Sequence, residues 1–330
     1  MSGTQIVSGE RRRKSLWPFI HFVPRETHFN FVGLAPYAAV LSVLLVIGSG
    51  ASLALHGAKP VNFGVDFLGG TKLDVITPAA APLAQIRSEL ASIGVNDAQV
   101  QSVPPNRAAV QFSGVAGQTP DQAPAFVQGK LQAAFPGLKV TGISEVGAKV
   151  SGELIGGGLG ALGVALGLML LYIWFRFQLQ FGLGAILALA HDIVLTIGFL
   201  SITRIEVSME SIAALLTVIG YSMNEKVISF DRLRENLRKY RTTPLAEVIN
   251  LSENERLSRT VITGTTALLA LSGSMFNPAS ALFPLTATMA FGILVGTYSS
   301  IYVALPVILL WGVKRDEDEP EPIKLQQSRR

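Results

Sequence analysis

Three ionisable side chains interrupt apolar stretches that are long enough to cross a lipid bilayer. Asp192 lies within residues 181–203. The adjacent Glu225 and Lys226 lie within residues 211–230. A charge at the centre of a membrane helix costs about 2.5 to 3.5 kcal/mol on insertion scales, so such groups usually face a bundle interior or an aqueous path. A carboxylate in that position can exchange a proton between the two faces, which makes these residues candidates for a proton relay.

The same residues also have plainer interpretations. Glu225 and Lys226 would lie among lipid headgroups if their helix ended near Met223, with the lysine extended toward water. Separately, Asp192 would make only a structural hydrogen bond to a neighbouring helix, with His191 beside it as a packing or interface residue. Neighbours on a helix diverge by about 100°, so Glu225 and Lys226 cannot pair along one face. At least one of them therefore needs a partner on another helix.

The composition indicates an integral membrane protein. Hydrophobic residues make up 49% of the 330 positions and charged residues only 15%. Soluble domains usually carry about 25% charged residues. The absence of cysteine excludes disulfide frameworks, thiolate metal sites and cysteine nucleophiles. The net charge of +4 would suit nucleic acid, but the basic residues cluster at the edges of the apolar stretches, so we expect no nucleic-acid partner.

The apolar stretches predict six membrane-spanning helices in an α-helical polytopic membrane protein. A bilayer core of about 30 Å needs roughly 20 apolar helical residues. The last two spans share 53 consecutive positions without a charge, Val261 to Val313, with a turn expected at Asn277 to Ser280. The predicted spans are 34–55, 154–174, 181–203, 211–230, 261–276 and 284–313.

Basic residues predict the orientation of these spans, because Lys and Arg in short loops are retained on the cytoplasmic side. Five of them lie in the tail 1–33, one is Arg176, and eight fall between Lys226 and Arg259. We therefore expect both termini in the cytoplasm, including the tail 314–330 with its acidic run 316–321. Residues 231–260 then form a cytoplasmic loop.

The loop 56–153, which this orientation places in the periplasm, is the only one long enough to fold by itself. Its alternation predicts strands and helices in the order β-α-β-β-α-β, which is the ferredoxin-like arrangement. We expect a small α+β domain between the first and second spans. The predicted strands are 72–77, 98–103, 107–112 and 138–143, and the predicted helices are 82–93 and 121–135.

Two further features, a glycine spacing and a basic segment, each allow two interpretations. Small-xxx-small spacing at Gly156 to Gly160 and Gly163 to Gly167 suits ordinary bundle packing or a sliding seam. The basic segment 230–241 suits a topological anchor, or a site for anionic lipid or a cytoplasmic partner.

The sequence has no P-loop, HExxH or GxSxG motif, and its four histidines lack ligand spacing. We expect no metal, no cofactor and no enzymatic activity.

Six segments carry a resemblance to a known family. They are, in chain order, GVDFLGGT at 64–71, EVGAKVSGEL at 145–154, YIWFRFQLQFGLGAILALAHD at 172–192, GYSMNEKVISFDRLREN at 220–236, LSRT at 257–260 and GILVGTYSS at 292–300. Together they resemble the SecF subunits of the SecD/SecF family, within the resistance-nodulation-division superfamily. Three positions depart from the family pattern. Glu225 and Lys226 follow Asn224 where the family has Asn-Asp-Thr, and Ala148 stands where a proline is usual.

The resemblance implies a function in the bacterial inner membrane. Together with SecD, such a chain uses the proton gradient to help polypeptides emerge from the SecYEG channel, the proton being the coupling ion. Implied partners are SecD, SecYEG, the translocating preprotein, YajC, YidC and membrane lipid. Glu225 and Arg259 would be the charged pair for proton passage, with Asp192 nearby. The residues implied to support the motifs are Asn224, Lys226, Asp231, Arg232, Asp66, Gly69 and Gly70.

Two other functions suit the same sequence. The first is a half-size, proton-coupled exporter of small molecules from the same superfamily, although an external loop of 98 residues is small for a substrate cleft. The second is a purely structural scaffold for partner membrane proteins.

Overall fold

The computed structural model describes residues 27–276 and 282–313. Most of the tail 1–33, the turn expected at 277–280 and the tail 314–330 lie outside the described residues. In chain order the elements are α1 (Phe31–Leu55), β1 (Asn62–Phe63), α2 (Val65–Leu68), β2 (Gly70–Ile76), α3 (Leu83–Ser92), β3 (Gln99–Val103), β4 (Arg107–Phe112), α4 (Ala123–Ala134), β5 (Lys139–Val146), α5 (Ala148–Arg176), α6 (Leu179–Thr203), β6 (Glu206–Val207), α7 (Met209–Lys239), α8 (Leu245–Met275), α9 (Phe283–Ser299), a π-helical turn (Ser300–Ala304) and α10 (Leu305–Trp311).

Four helical segments within the described residues are long and apolar enough to cross a membrane, judged by length and composition: α1, α5, α6 and the continuous run Phe283–Trp311. Two further helices, α7 and α8, have 31 residues each. α7 contains the predicted span 211–230, and α8 contains all of the predicted span 261–276 except its last residue. At 1.5 Å per residue each is about 46 Å long, which exceeds the thickness of a bilayer core.

Most of the segment predicted as the cytoplasmic loop 231–260 is helical. α7 continues to Lys239 and α8 begins at Leu245. Both extensions are amphipathic. They bury Leu233 and Leu237 of α7 against Val248 and Ile249 of α8, which stabilises the two helices beyond the apolar stretches.

The elements between α1 and α5 include a four-stranded antiparallel sheet in the order β3-β4-β2-β5. The β-α-β-β-α-β order predicted from the sequence is present. On each of its two helices, residues four apart face the sheet: Ile86 and Leu90 on α3, and Val127 and Leu131 on α4. All four are fully buried with Leu73 and the other apolar side chains of the sheet. The elements from β1 to β5 therefore have a core of their own, and we call them the external unit because they lie outside the helical bundle.

The motif-supporting residues after the first helix join the external unit to the start of α7. Gly69 and Gly70 have φ values of 71° and 101°, and a Cβ at Gly70 would press on the carbonyl oxygen of Phe112. Asp66 Oδ2 accepts a hydrogen bond from the backbone N–H of Met209 at 2.9 Å, where α7 begins. This contact supplies an acceptor for one N–H of a helix N-terminus that also carries a Ser208–Ser211 capping box.

A salt bridge between Lys72 and Glu206 reinforces the same junction. Burial lowers the pKa of Lys72, but attraction to Glu206 and the hydrogen bond to it outweigh burial, so the pKa lies above its ordinary value. β1 also pairs in parallel with β6, at Asn62 with Glu206 and at Phe63 with Val207. The external unit is therefore tied to the turn between α6 and α7.

Close helix packing in the bundle depends on two glycines of α9. A Cβ at Gly292 would collide with the side chain of Val218, and one at Gly296 would press on Ser222, both on α7. The glycines that the sequence suggested for close packing all lie on α5. They are Gly156, Gly160, Gly163 and Gly167. A Cβ built on any of them has no heavy atom of another described element within 4 Å, so they make no close helix contact in this part of the chain.

Candidate functional site

Asp192 of α6 is the acceptor at the centre of the first buried polar cluster, and its side chain is fully buried. Lys226 of α7 donates from Nζ to Asp192 Oδ2 at 2.8 Å. The hydroxyls of Ser222 and Ser299 donate to the same oxygen, the latter at 2.7 Å. His191 Nδ1 lies 3.0 Å from the other carboxylate oxygen. We call these five residues the Asp192 cluster.

A second cluster lies beside the first and contains two carboxylates. Glu225 Oε2 is 3.2 Å from Arg256 Nη1 and accepts from the hydroxyl of Thr260 at 3.2 Å. Arg256 also donates from Nη2 to Ser300 Oγ at 2.9 Å. Its members, which we call the Glu225 cluster, are Glu225, Glu253, Arg256, Thr260, Ser229 and Ser300.

Glu253 completes this cluster from within α8. Arg256 Nε donates to Glu253 Oε2 at 2.6 Å, and the hydroxyl of Ser229 donates to Glu253 Oε1 at 2.6 Å. The guanidinium of Arg256 therefore lies between two carboxylates. Glu225 and Glu253 are each 1% exposed and Arg256 is 4% exposed, so none of the three charges is hydrated by bulk water.

The two clusters differ in charge balance. In the Asp192 cluster one carboxylate faces one ammonium, Lys226, so the ionised pair is neutral. In the Glu225 cluster two carboxylates face one guanidinium, and full ionisation leaves one net negative charge. An uncompensated buried charge is costly in such an environment.

Both adjacent ionisable residues of α7 have partners on other helices. Lys226 pairs with Asp192 of α6, and Glu225 pairs with Arg256 of α8. The expectation that at least one of the two needs a partner on another helix is therefore confirmed. The interpretation in which the helix ends near Met223 is wrong, because α7 continues to Lys239 and both side chains are buried within the bundle.

The expected pairing of Glu225 with Arg259 is not formed, because Arg256 is the pairing residue. The buried positions of α8 include 252, 253, 256, 260 and 264, which follow one helical stripe. Arg259 lies off that stripe and is exposed. Of the motif-supporting positions, Lys226 belongs to the Asp192 cluster, whereas Asn224, Asp231 and Arg232 lie apart from both clusters. Asn224 is exposed on α7. Asp231 pairs with Arg176, and Arg232 pairs with Glu235 and Glu255.

Reasoning from the sequence missed Arg256, Glu253, Ser299 and Ser300. A signal for two of them was present in the spacing of polar residues, since Glu253, Arg256 and Thr260 recur at helical intervals just before an apolar run. Nothing comparable marks the two serines. Within residues 27–276 and 282–313, no group of three His, Cys, Asp or Glu side chains is arranged to hold a metal ion.

Comparison with known proteins places the chain among translocase subunits. A family model described as protein export membrane protein SecD/SecF, C-terminal, matches residues 127–314. The protein translocase subunit SecF of Rhodobacter capsulatus is 37% identical over 320 residues, covering 92% of this chain and 95% of that protein. The SecF subunit of Cereibacter sphaeroides is 38% identical over 302 residues, covering 88% and 92%.

Two solved structures also match. SecDF from Thermus thermophilus, described as a translocon-associated membrane protein, superposes with a TM-score of 0.78 at 33% identity over 88% of this chain. A second SecDF structure, in a super-membrane-facing form, gives a TM-score of 0.61 at 32% identity over 87% of this chain. The chain spans 39% of the length of each of these SecDF chains.

Proposed function

The chain belongs to the SecF family of Sec-pathway protein translocase subunits, and from this premise we propose that it uses the proton motive force to assist late steps of protein export through SecYEG. It is a multi-pass protein of the bacterial inner membrane. The observation that carries the proposal is the Glu225 cluster, in which two carboxylates and one guanidinium are buried among membrane helices.

Proton uptake changes how this cluster holds the helices together. A proton on Glu225 removes the charge that pairs with Arg256, and α7 is then held less tightly to α8. Arg256 also binds Ser300, so a shift of the guanidinium reaches the last helix. One charge that crosses 100 mV releases about 2.3 kcal/mol. That energy shifts a two-state equilibrium by about fiftyfold.

A partner subunit is part of the proposal. The solved SecDF chains are much longer than this one, which covers 39% of them. We assign the part of SecDF that this chain does not cover to a separate SecD chain. The other proposed partners are the SecYEG translocon and the emerging preprotein, with YajC and YidC as further members of the assembly. The chain itself carries out no chemical reaction and needs no cofactor besides the proton.

The proposed topology has six spans, formed by α1, α5, α6, α7, α8 and the run Phe283–Trp311. Both termini lie in the cytoplasm, and the external unit is a periplasmic ferredoxin-like domain. The sheet order β3-β4-β2-β5 supports that assignment. Basic side chains such as Arg176, Arg234 and Arg238 lie on the helix ends away from this unit, which supports the orientation.

Gradient-dependent export tests the proposal. Inverted inner-membrane vesicles carrying Glu225→Gln or Arg256→Gln are compared with unaltered vesicles, with and without a proton gradient. Both variants should reduce export to the level measured without a gradient, and Glu225→Gln, which leaves Arg256 paired with Glu253, should leave that basal level unchanged. Arg259→Gln removes an equal charge from the same helix and should retain the response to the gradient.

Two results would contradict the proposal. Full gradient-stimulated export by Glu225→Gln and Arg256→Gln would remove the role of the cluster. If, in addition, deletion of the whole chain disrupted the assembly, the chain would be a structural scaffold.

A further inference from the structure

A second charged site lies at the end of the helical bundle away from the external unit. A cavity of about 490 Å³ opens there between the α5–α6 turn and the last turns of α7. The described residues that line it are all ionisable, with four cations and two carboxylates. They are Arg176, Asp231, Arg234, Glu235, Arg238 and Lys239. The net charge of the lining is therefore +2.

Both carboxylates of the cavity are already paired. Asp231 accepts from Arg176 at 3.0 and 3.2 Å. Glu235 accepts from Arg232, which is not one of the lining residues, at 2.7 Å. Among the described residues, no salt bridge occupies the three remaining cations, Arg234, Arg238 and Lys239. The cavity therefore presents uncompensated positive charge.

Phe177 holds two of the arginines in place. Its buried ring lies 5.3 Å from the Arg176 guanidinium and 5.9 Å from that of Arg234. The ring also packs edge-on against Phe230 of α7, at 5.6 Å between centroids. Guanidinium groups over an aromatic face are favourably placed, so the turn and α7 together form a built basic site.

The cavity adjoins a surface suited to lipid. Trp174, Phe175 and Leu179 flank Arg176 in sequence and are 73%, 79% and 66% exposed. Aromatic residues in such positions lie at the boundary between lipid tails and headgroups. α7 runs from the external unit toward this end, and helix side chains tilt back toward the helix N-terminus. The Cα–Cβ bonds of Arg234 and Arg238 therefore point toward the apolar part of α7.

We propose that this cavity binds the phosphate headgroup of an anionic phospholipid, with Arg234 and Arg238 as the principal ligands and the acyl chains against Trp174, Phe175 and Leu179. The charge of +2 complements phosphodiester groups, and the adjacent apolar side chains suit acyl chains. An acidic protein segment would satisfy the cations but would leave these exposed side chains uncovered.

Tryptophan fluorescence provides the test, because Trp174 lies next to the cavity. The chain has three tryptophans, and the double substitution Trp17→Phe and Trp311→Phe leaves Trp174 as the reporter. The full-length protein is placed in phosphatidylcholine vesicles that contain brominated phosphatidylglycerol or, at the same mole fraction, brominated phosphatidylcholine. Brominated phosphatidylglycerol should quench Trp174 more strongly. Arg234→Gln with Arg238→Gln should lower the relative affinity by roughly fivefold for each charge removed.

The control removes two cations from the external unit, with Lys130→Gln and Lys139→Gln, and should keep the preference for phosphatidylglycerol. Inorganic phosphate added to the vesicles should not displace the lipid. Equal quenching by both lipids, or a preference that survives Arg234→Gln with Arg238→Gln, would overturn the proposal. Loss of the preference on addition of inorganic phosphate would identify a phosphate site and would also overturn it. The readout requires no proton gradient, so it is independent of the export experiment.

Discussion

Ser299 and Ser300 are consecutive residues, yet their hydroxyl groups hydrogen-bond to different polar clusters. Ser299 Oγ donates to Asp192 at 2.7 Å, and Ser300 Oγ accepts from Arg256 at 2.9 Å. Both serines are fully buried, and the π-helical turn begins at Ser300. Such turns occur frequently at functional sites. The last helix therefore contacts both clusters at one point, where a change in either can alter its packing.

Glu225 and Lys226 form the matching arrangement on α7, since they are consecutive and belong to different clusters. The consecutive residues Glu225 and Lys226 on α7, and Ser299 and Ser300 at the end of α9, thus hold the two clusters side by side. The close approach of α7 and α9 at Gly292 and Gly296 sets this spacing. The charge of one cluster is therefore close enough to influence the other.

The stability of the bundle should depend on Arg256 and little on Arg259. Arg256→Gln leaves Glu225 and Glu253 buried without a cation, and breaking such a pair costs about 3 to 5 kcal/mol. Thermal unfolding of the purified chain measures this cost. Arg259→Gln is the matched control, because it removes an equal but exposed charge from the same helix. A larger loss of stability for Arg259→Gln would refute the assignment of Arg256.

Asp192 and Lys226 should be energetically coupled. Asp192→Asn and Lys226→Met each leave a buried charge without its partner, whereas the double variant removes both charges. We expect a coupling energy of roughly 0.5 to 3 kcal/mol in a double-mutant cycle of unfolding free energies. Strictly additive single effects would show that the pair contributes no interaction of its own.

Substitution by alanine should destabilise the chain at Gly292 of α9 and be tolerated at Gly163 of α5. Gly292→Ala places a Cβ against Val218 and should destabilise the chain by roughly 1 to 3 kcal/mol through overpacking. Gly163→Ala, where the built Cβ meets no described atom within 4 Å, should be tolerated. Unfolding temperatures of the two variants in one detergent make the comparison. Equal losses would mean that α9 does not form the close seam.

Asp66 should stabilise the first turn of α7. Asp66→Ala removes the acceptor for the Met209 N–H, and loss of such a cap costs about 0.5 to 2 kcal/mol. Hydrogen exchange should accelerate at the backbone amides that begin α7. Asp121→Ala, at an exposed position of the external unit, should leave those amides unchanged. Unaltered exchange in Asp66→Ala would exclude the capping role.

Much of the fold follows from periodicity in the sequence. The external unit has its predicted element order because short alternating strands and one-sided helices such as α3 and α4 carry local signals. The helical extensions within residues 231–260 were not predicted because charge alone does not mark the end of a helix. Leu233 and Val248 bury one face of each extension while the other face stays polar.

The candidate site was less predictable for two physical reasons. The choice between Arg256 and Arg259 depends on how α8 is rotated about its axis, which packing against α7 determines. The glycines at 156 and 160 have the same spacing as Gly292 and Gly296, but only the latter lie against another helix. Pairing across helices depends on tertiary contacts that spacing within one segment does not specify.

The most direct test of proton binding at the Glu225 cluster is infrared titration of the protein in vesicles, following the carbonyl stretch of protonated carboxyl groups. At neutral pH, the account predicts a band from one buried protonated carboxyl group. Glu225→Gln and Glu253→Gln should each abolish it, because either leaves one carboxylate facing Arg256, and Asp192→Asn should leave it in place. Absence of the band at every accessible pH, or its persistence in both glutamine variants, would contradict the account.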